Sequence, residues 1–415
     1  MIPGDGVGPE VVAEARKAVD ALGLPLEWNE LDWGTAHYHG HGTMMPADGL
    51  DVVRTHDAIL LGAVGDPSVP DHVTLWGLLL PLRQGLDLWA NLRPARLLEG
   101  VPSPLAGGRD VDMLFVRENT EGEYSGVGGR AHRGLELEVA VETGVFTRAG
   151  VRRVIAHAFE LAAERRGVLT SATKSNASRY GYVLWDEVAA EVAAEHADVR
   201  YERVLVDALA ARMVSNPGSL DVVVASNLFG DILTDIAAVL QGGMGMAASA
   251  NVAPGSGTPG MFEPVHGSAP DIAGQGIANP FGAIWSAALM LEHLGEADAS
   301  ARVMGALEAQ LRQRNLRPSA GSSTRRSSIR ARSGARRTSS RPPATCNASS
   351  PRFSAAGCFR VLSSRRSSKP SRPRLAIRTR PARAAPPILR RYERGSLFQR
   401  VDRSVPTAAR GARAA

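Results

Sequence analysis

Two aspartates lie four residues apart at the start of an otherwise apolar segment. Asp231 and Asp235 occur in NLFGDILTD, after the apolar run DVVVAS at residues 221–226. The run predicts a buried strand, followed by a short turn through Gly230 and a helix beginning near Asp231. Residues four apart share a helical face, so both carboxylates would point the same way. Such a pair offers hard oxygen ligands to Mg²⁺ or Mn²⁺, although two solvated carboxylates at a helix start would give the same pattern.

Three arginines form a second set of residues suited to chemistry. Arg83 and Arg93 lie in LRQGLDLWANLRP, and Arg117 closes the predicted strand VDMLFVREN. A guanidinium presents a planar fork of N–H donors that matches the two oxygens of a carboxylate. Three of them near a divalent cation would suit a polycarboxylate ligand, although a surface ion pair also explains each arginine singly.

A tyrosine and a lysine could transfer protons. Tyr124 occurs in RENTEGEYSG, and Lys174 lies in TSATKSNASRYG at the end of a predicted strand. Burial and nearby cations can lower the pKa values of both residue types, so that they serve as acid and base. Either residue alone is also compatible with a structural role.

Two glycine and histidine patterns are weaker signals. GDGVGPE, at residues 4–10, is not the G-x-G-x-x-G pattern, and only a few residues precede it, so a Rossmann dinucleotide fold is not supported. The triplet His37, His39 and His41 in HYHGHG resembles a metal-binding box. We interpret these histidines as loop or core residues, because a site built from carboxylates needs no imidazole.

The elements that would position these residues alternate along the chain. Helical stretches at 150–166 and 180–196 have apolar residues at spacings of three and four. Between such stretches lie β-rich runs at 57–64, 111–119, 167–176, 199–207 and 221–226. This order predicts an α/β fold with a largely parallel sheet. LELEVAVETGVFTR alternates apolar and polar residues and predicts a half-exposed strand, such as an arm.

Charge is distributed unevenly over the 415 residues. Residues 315–415 hold 25 of the 48 Lys and Arg residues, two of the 42 Asp and Glu residues and both cysteines. We predict that this Arg/Ser/Pro-rich segment is a disordered tail, because it offers too little apolar surface to bury. Cysteine chemistry is excluded from residues 1–314. No apolar run reaches the ~20 residues of a membrane span, so a cytoplasmic location is expected.

Taken together, the motifs resemble those of the metal-dependent β-decarboxylating dehydrogenases, the family of isocitrate, 3-isopropylmalate, D-malate and tartrate dehydrogenases. The similar segments occur in the family's order from residue 2 to about 312: IPGDGVGPEV, LRQGLDLWANLRP, VRENTEGEYSG, TKSNASRYG, SNLFGDILTD and FEPVHGSAPDIAGQGIANP. The resemblance implies a two-domain fold and a homodimer with shared active sites. Residues 1–90 and 242–314 would form the cofactor-side domain, and 91–241 the substrate, metal and dimerisation domain.

The resemblance also implies roles for the residues that could bind metal and carry protons. Asp231 and Asp235 correspond to metal carboxylates, and Asp207 would supply a third from the partner subunit. Tyr124 and Lys174 correspond to the acid and the base of the reaction.

Substrate and cofactor residues follow from the same resemblance. Arg83, Arg93, Arg117 and Asn176 would bind the substrate. The loop HGSAPDIAGQGIAN would surround the adenosine half of the cofactor through His266, Gly267, Ser268, Ala269, Asp271, Ile272 and Asn279. Asp271 implies NAD, because a carboxylate accepts hydrogen bonds from ribose hydroxyls but repels a 2′-phosphate. A monovalent cation such as K⁺ is a further expected cofactor.

The substrate would then be a small dicarboxylic 2-hydroxy acid. LWG and WGTAHYHGHGTMMPADGL look most like tartrate and D-malate dehydrogenases, which oxidise the hydroxyl and decarboxylate where a β-carboxylate allows it. The leucines at 78–80 keep 3-isopropylmalate open as the alternative substrate. A hypothesis of another class is a non-catalytic protein that binds nucleic acid through the basic tail.

Overall fold

The computed structural model describes residues 1–105 and 110–316, which contain strands and helices in alternation. The strands are β1 (Ile2–Gly4), β2 (Ala58–Ala63), β3 (Ala90–Arg96), β4 (Asp112–Glu118), β5 (Gly122–Ala131), β6 (Val139–Val145), β7 (Val168–Thr173), β8 (Arg200–Leu205), β9 (Val222–Ala225), β10 (Ala248–Val252) and β11 (Gly260–Pro264). The helices are α1 (Gly8–Asp20), α2 (Thr35–His41), α3 (Gly49–Arg54), α4 (Asp71–Thr74), α5 (Leu80–Gly85), α6 (Arg148–Ala163), α7 (Gly181–Ala193), α8 (Val206–Ser215), α9 (Asn227–Leu240), α10 (Phe281–His293) and α11 (Ala297–Leu316). A π-helical turn, Leu75–Leu79, joins α4 to α5.

Nine strands form one sheet in the order β1-β2-β11-β10-β3-β4-β9-β7-β8. The pairs on both wings are parallel. The three central pairs, which join β11, β10, β3 and β4, are antiparallel. The predicted α/β fold with a largely parallel sheet is therefore confirmed, with an antiparallel centre that the sequence did not indicate.

Strand β9 illustrates how the core is built on both faces of the sheet. Val222 and Val224 pack in a cluster with residues of α6 and α7, whereas Val223 and Ala225 pack in a cluster with residues of α8 and α9. All four are buried, as a strand covered by helices on both faces requires. Burying one valine side chain stabilises the fold by about 1.5–3 kcal/mol.

The five predicted strands at 57–64, 111–119, 167–176, 199–207 and 221–226 correspond to β2, β4, β7, β8 and β9. Strand β3 was not predicted, and its sequence contains Pro94, which lacks the N–H that a central strand must donate. The structure tolerates Pro94 because β10 pairs only with Ala90–Leu92, so that β10 requires no N–H from position 94.

The predicted start of the helix that carries the two aspartates is wrong by one turn. Helix α9 begins at Asn227, and Gly230, predicted to form a turn, lies inside it. Ser226 makes no side-chain cap bond; Glu123, from β5, accepts the N–H of Leu228 at 3.1 Å instead. A cap supplied from a distant strand leaves no local start signal in the sequence.

The alternating segment at 135–148 forms β6, which pairs with β5 in a separate two-stranded hairpin. The prediction of a half-exposed strand is wrong in one respect, because nearly every residue of β6 is exposed in the single chain. The division into two domains stays a prediction. The predicted disordered tail lies outside the described residues, apart from its first two positions.

Candidate active site

A cavity of about 440 Å³ is lined by seven of the sixteen site residues predicted from the sequence. It lies against one face of the antiparallel centre of the sheet. Cross-strand partners point to the same face, and Asn91 is paired with both Arg117 and Asn251, while Ser249 is paired with Glu263. The lining includes Arg83, Arg93, Arg117, Tyr124, Asp231, Glu263 and His266, together with an apolar wall of Leu75, Trp76, Leu79 and Leu80.

Arg117 is held by the first two turns of α9. Its Nε and Nη2 donate to Asn227 Oδ1 at 3.0 and 2.8 Å, and its Nη1 donates to Asp231 Oδ1 at 2.5 Å. Gly230 makes this approach possible, because a Cβ there would lie 2.5 Å from Arg117 Cγ. The arginine and the helix therefore fit together only with glycine at this position.

The other two arginines are fixed by separate partners. Arg93 Nη1 donates to Thr234 Oγ1 at 2.5 Å and to Asp231 Oδ1 at 3.4 Å. Arg83 Nη2 donates to Glu263 Oε1 at 2.5 Å. The Nε atoms of both arginines are buried without a partner among the described residues, so each guanidinium is only partly satisfied by the protein.

The cavity carries an excess of buried positive charge. Arg83, Arg93 and Arg117 are 5%, 6% and 2% exposed, and the carboxylates paired with them are those of Asp231 and Glu263. Glu142 also lines the cavity, but its side chain is exposed. Burial, followed by the charge of Arg93, lowers the pKa of Arg117 to about 9. An anionic ligand would relieve this imbalance, because a buried charge is costly unless it is paired.

The two aspartates of α9 have different electrostatic environments. Burial by itself would raise the pKa of Asp231, but Arg117 and Arg93 outweigh it and hold the pKa below its usual value. Burial and the charge of Asp231 raise the pKa of Asp235. A divalent cation fits this pair, since it would relieve the repulsion between two hard oxygen ligands. Within residues 1–105 and 110–316 no group of three or more His, Cys, Asp or Glu residues could hold a metal, so a third carboxylate would have to come from elsewhere.

Tyr124 lies beside these charges. Its Oη donates to Asp231 Oδ2 at 3.3 Å, and the Arg117 guanidinium lies 5.7 Å from the centre of its ring. Burial and the charge of Asp231 raise the pKa of the phenol, contrary to the lowering considered from the sequence. At neutral pH the hydroxyl is therefore protonated and can donate a proton.

Lys174, Asn176 and Asp207 are not brought to this cavity within one chain. Lys174 Nζ donates to Asp207 Oδ1 at 2.7 Å, and the two side chains are 30% and 66% exposed. Asn176 lines a separate, open depression of about 580 Å³. The hydrogen bond from Lys174 lowers the pKa of Asp207.

The predicted cofactor loop connects β11 to α10 and packs on the glycine turn at the start of the chain. Val7 N donates to Ser268 O at 2.8 Å, and a Cβ on Gly6 would overlap Ser268. His266 and Gly267 line the cavity. The remaining members of the predicted set, Ala269, Asp271, Ile272 and Asn279, lie farther along the same loop.

Two features of this loop fit a dinucleotide. His266 Nε2 is buried without a partner among the described residues, and burial lowers the pKa of the imidazole, so that the ring is neutral. The Asp271 side chain makes no hydrogen bond within residues 1–105 and 110–316, which leaves its carboxylate available to hydroxyl groups.

Several residues that shape the site were not predicted from the sequence. Glu263, Asn227 and Thr234 bind the three arginines, and Trp76 closes the apolar wall against Gly126. Asn227 and Thr234 occur inside the motif NLFGDILTD, so their spacing from Asp231 could have indicated them. Glu263 had no local signal, because it meets Arg83 only through the pairing of β11 with β10 and β2.

The interpretation of the histidine triplet as loop or core residues is wrong, because all three lie on α2 and none of them is buried. His37 and His41 stack at 4.3 Å on α2, and His39 contacts Ser68. In the described part of the chain, no helix is long and apolar enough to span a membrane.

Comparison with known proteins places the geometry in context. The family model described as isocitrate/isopropylmalate dehydrogenase matches residues 1–327. A probable tartrate dehydrogenase/decarboxylase of Agrobacterium vitis is 52% identical over 336 residues, which cover 79% of this chain and 94% of that protein. A 3-isopropylmalate dehydrogenase of Mycobacterium avium is 51% identical over 77% of this chain and 95% of its own length. The crystal structure of isocitrate dehydrogenase from Methylococcus capsulatus matches with a TM-score of 0.70 and 39% identity, covering 75% of this chain and 90% of that one.

Proposed function

The chain belongs to the isocitrate/isopropylmalate dehydrogenase family and is an oxidative decarboxylating hydroxy-acid dehydrogenase, and we propose that its substrate is tartrate or D-malate and its oxidant NAD⁺. The observation that carries the proposal is the cluster of three buried arginines beside Asp231 and Tyr124 in one cavity. The 52% identity to a tartrate dehydrogenase/decarboxylase supports the choice of substrate.

Substrate binding would rest on charge. The guanidinium groups of Arg83, Arg93 and Arg117 line the cavity and would bind the substrate's carboxylates, which favours a doubly charged acid over a singly charged one. Asn176 is proposed to contribute a further polar contact to the substrate.

Asp231 and Asp235, with Asp207 of a second copy, would hold Mg²⁺ or Mn²⁺ against the substrate. When bound, the cation would polarise the oxygen on the second carbon and stabilise negative charge there, and NAD⁺ would accept the hydride. The adenosine half of NAD⁺ would be held by the neutral His266, by Asp271 and by the rest of their loop, which includes Gly267, Ser268, Ala269, Ile272 and Asn279. A K⁺ requirement remains a proposal without a residue assigned to it.

Proton transfers are proposed for two side chains. Lys174 Nζ, as the neutral amine, would accept the proton of the second-carbon hydroxyl as that carbon is oxidised. Tyr124 Oη would donate a proton to the third carbon after CO₂ has left. The raised pKa of Tyr124 suits a donor that must remain protonated until this step.

Both proton carriers can act in one site only if two chains form it. Lys174 and Asp207 pair on the surface, away from the cavity that holds Tyr124 and Asp231. On α9, Ile232 and Val239 are 52% and 51% exposed, an apolar stripe suited to packing against another copy. We therefore propose a homodimer in which each site takes Lys174, Asn176 and Asp207 from the partner.

A specific observation favours a second candidate substrate. Leu75, Leu79 and Leu80 line the same cavity as the arginines, and such a wall could also contact the alkyl group of 3-isopropylmalate. Steady-state kcat/KM values for tartrate, D-malate and 3-isopropylmalate, each with NAD⁺ and Mn²⁺, test both candidates. We expect the highest value for tartrate or D-malate; a clear preference for 3-isopropylmalate would replace the proposed substrate.

A further inference from the structure

Behind the cavity, three elements meet at the carboxylate of Glu123. Its Oε1 accepts from the hydroxyl of Tyr182 in a short hydrogen bond and from Ser226 Oγ at 3.2 Å. Its Oε2 accepts from the N–H of Leu228 at 3.1 Å. Tyr182 and Ser226 are 5% and 1% exposed, and their hydroxyl oxygens lie 2.7 Å apart. The carboxylate is thus surrounded by donors in a mostly dry environment.

Two of these elements, β5 and α9, also carry residues of the proposed machinery. Glu123 directly precedes Tyr124 in β5, and Ser226 and Leu228 begin the helix that bears Asp231. Tyr182 lies in the first turn of α7, and its ring stacks on Phe229 at 4.7 Å. The Glu123 carboxylate therefore fastens the strand of Tyr124 to the N-terminus of the helix that Tyr124 must face.

Regular strand pairing does not hold Tyr124 in place. Gly122 pairs with Val145, the next pair is Val127 with Thr143, and the register shifts between them. The Tyr124 carbonyl accepts one bond, from Gln84 Nε2 at 3.2 Å. Neighbouring residues of an extended segment point to opposite sides, so fastening Glu123 behind the strand turns Tyr124 toward the cavity.

We propose that Glu123 is a positioning residue, which sets the orientation of the Tyr124 hydroxyl against Asp231 through its bonds to Tyr182, Ser226 and the N-terminus of α9. The inference rests on the proposed role of Tyr124 as proton donor. Burial and the charge of Glu123 raise the pKa of Tyr182, which keeps that hydroxyl protonated and able to donate.

A double-mutant cycle tests the proposal. Glu123→Gln replaces one acceptor oxygen with an amide that cannot accept from its present donor, and Tyr182→Phe removes one donor while keeping the stacked ring. We expect Glu123→Gln to lower kcat about tenfold, since small misplacements of reacting groups are costly, with KM changed less than about threefold. In the Tyr124→Phe background, the same substitution should lower the residual kcat less than about twofold, because no hydroxyl remains to be oriented. This residual rate is measured at high enzyme concentration.

Glu121→Gln is the matched control. The Glu121 side chain accepts the N–H of Thr147 at 2.9 Å at the start of α6, so this variant weakens the same kind of bond. The Glu121 carbonyl, which accepts from Asn227 Nδ2 of α9 at 3.0 Å, is unchanged by the substitution. We expect its Tm to fall about as much as that of Glu123→Gln, with kcat unchanged. The proposal would be overturned if Glu123→Gln lowered kcat by the same factor in the wild-type and the Tyr124→Phe backgrounds, or if it raised KM as much as it lowered kcat, because the role of Glu123 would then be structural. If Glu123→Gln does not fold, Tyr182→Phe provides the same comparison.

A readout without turnover separates this inference from the proposed function. A crystal structure of the wild type should show the Tyr124 hydroxyl 3.3 Å from Asp231 Oδ2, and a crystal structure of Glu123→Gln should show it displaced from that position. A wild-type enzyme inactive on all three acids, with Tyr124 displaced in the variant, would refute the proposed function and leave the positioning intact. An unmoved Tyr124 would refute the positioning.

Discussion

At the scale of residues, the site is defined by three buried guanidinium groups and the partly exposed carboxylate that two of them share. Three buried guanidinium groups face the two carboxylates of Asp231 and Glu263, and Asp231 alone accepts from Arg117, Arg93 and Tyr124. A carboxylate with this many donors is difficult to replace, because removing it leaves an uncompensated buried charge.

Asp231→Asn should therefore abolish turnover while leaving NAD binding nearly unchanged. The amide keeps the size of the side chain but loses the charge that would hold the cation, so we expect kcat to fall by about a thousandfold or more. The Kd for NAD, measured by calorimetry, should stay within about threefold of the wild type, since the proposed cofactor loop is a separate segment. Full activity in this variant, or in wild type with excess EDTA, would contradict the metal assignment.

The exposed Asp271 should set the preference between the two nicotinamide cofactors. A carboxylate near a 2′-phosphate costs about 1–4 kcal/mol at the separation of an ion pair, which corresponds to roughly a five- to a thousandfold preference for NAD over NADP. Asp271→Arg should narrow the ratio of the two kcat/KM values by about tenfold or more. Asp298→Arg, which changes an exposed aspartate of α11, should leave that ratio unchanged, and a wild-type preference for NADP would contradict the assignment.

At the scale of elements, helix α9 positions the site by fitting closely around one side chain. Gly230 is a helical residue whose missing Cβ leaves room for Arg117, and Asn227 and Asp231 bind the guanidinium on either side of it. The helix thus acts as a template for the arginine, as well as carrying the two aspartates.

Gly230→Ala should damage both stability and activity. The added methyl would lie 2.5 Å from Arg117 Cγ, and overpacking of this kind costs about 1–3 kcal/mol. Gly305→Ala is the control, since that residue of α11 has nothing within 4 Å of an added Cβ, and alanine there should stabilise the helix by up to about 1 kcal/mol. We expect a lower Tm and a lower kcat/KM only for Gly230→Ala; unchanged values would show that Arg117 can be displaced without consequence.

Elements also mark the limit of what the sequence could predict. Apolar periodicity predicted α6, α7 and five strands of the large sheet, β2, β4, β7, β8 and β9, whereas β1, β10 and β11 were not predicted. Strand β3 was hidden by Pro94, and Glu263 reached Arg83 only through strand pairings that no local pattern encodes. The start of α9 was misplaced because its cap, Glu123, lies in another strand.

At the scale of the whole molecule, the two proposed proton carriers lie in different places on one chain, and this separation makes a dimer necessary for the proposed reaction. One chain presents Tyr124 inside its cavity and Lys174 on its surface, bound to Asp207. A site that needs both would be complete only between two copies related by a two-fold axis.

Tyr124→Phe and Lys174→Met should consequently complement each other. Each variant alone should be nearly inactive, the first for lack of the donor to carbon and the second for lack of the acceptor of the hydroxyl proton. A mixed dimer has one site with both substitutions and one with neither, so refolding the two together should restore roughly a quarter of wild-type activity. Activity is measured before and after refolding, and the fraction of mixed dimers is measured by mass spectrometry. If mixed dimers form but show no activity, Tyr124 and Lys174 of one active site come from the same chain.

The strand order has a consequence for synthesis on the ribosome. Strand β2 ends at Ala63, but β11, which pairs with its second edge, begins only at Gly260. At about 5–20 residues per second, the intervening chain takes roughly ten to forty seconds to make. During that interval the nascent N-terminal strands keep an apolar, unpaired edge, the kind of surface at which polypeptides aggregate. Production of this enzyme should therefore depend on chaperones that shield the emerging chain until its later strands arrive.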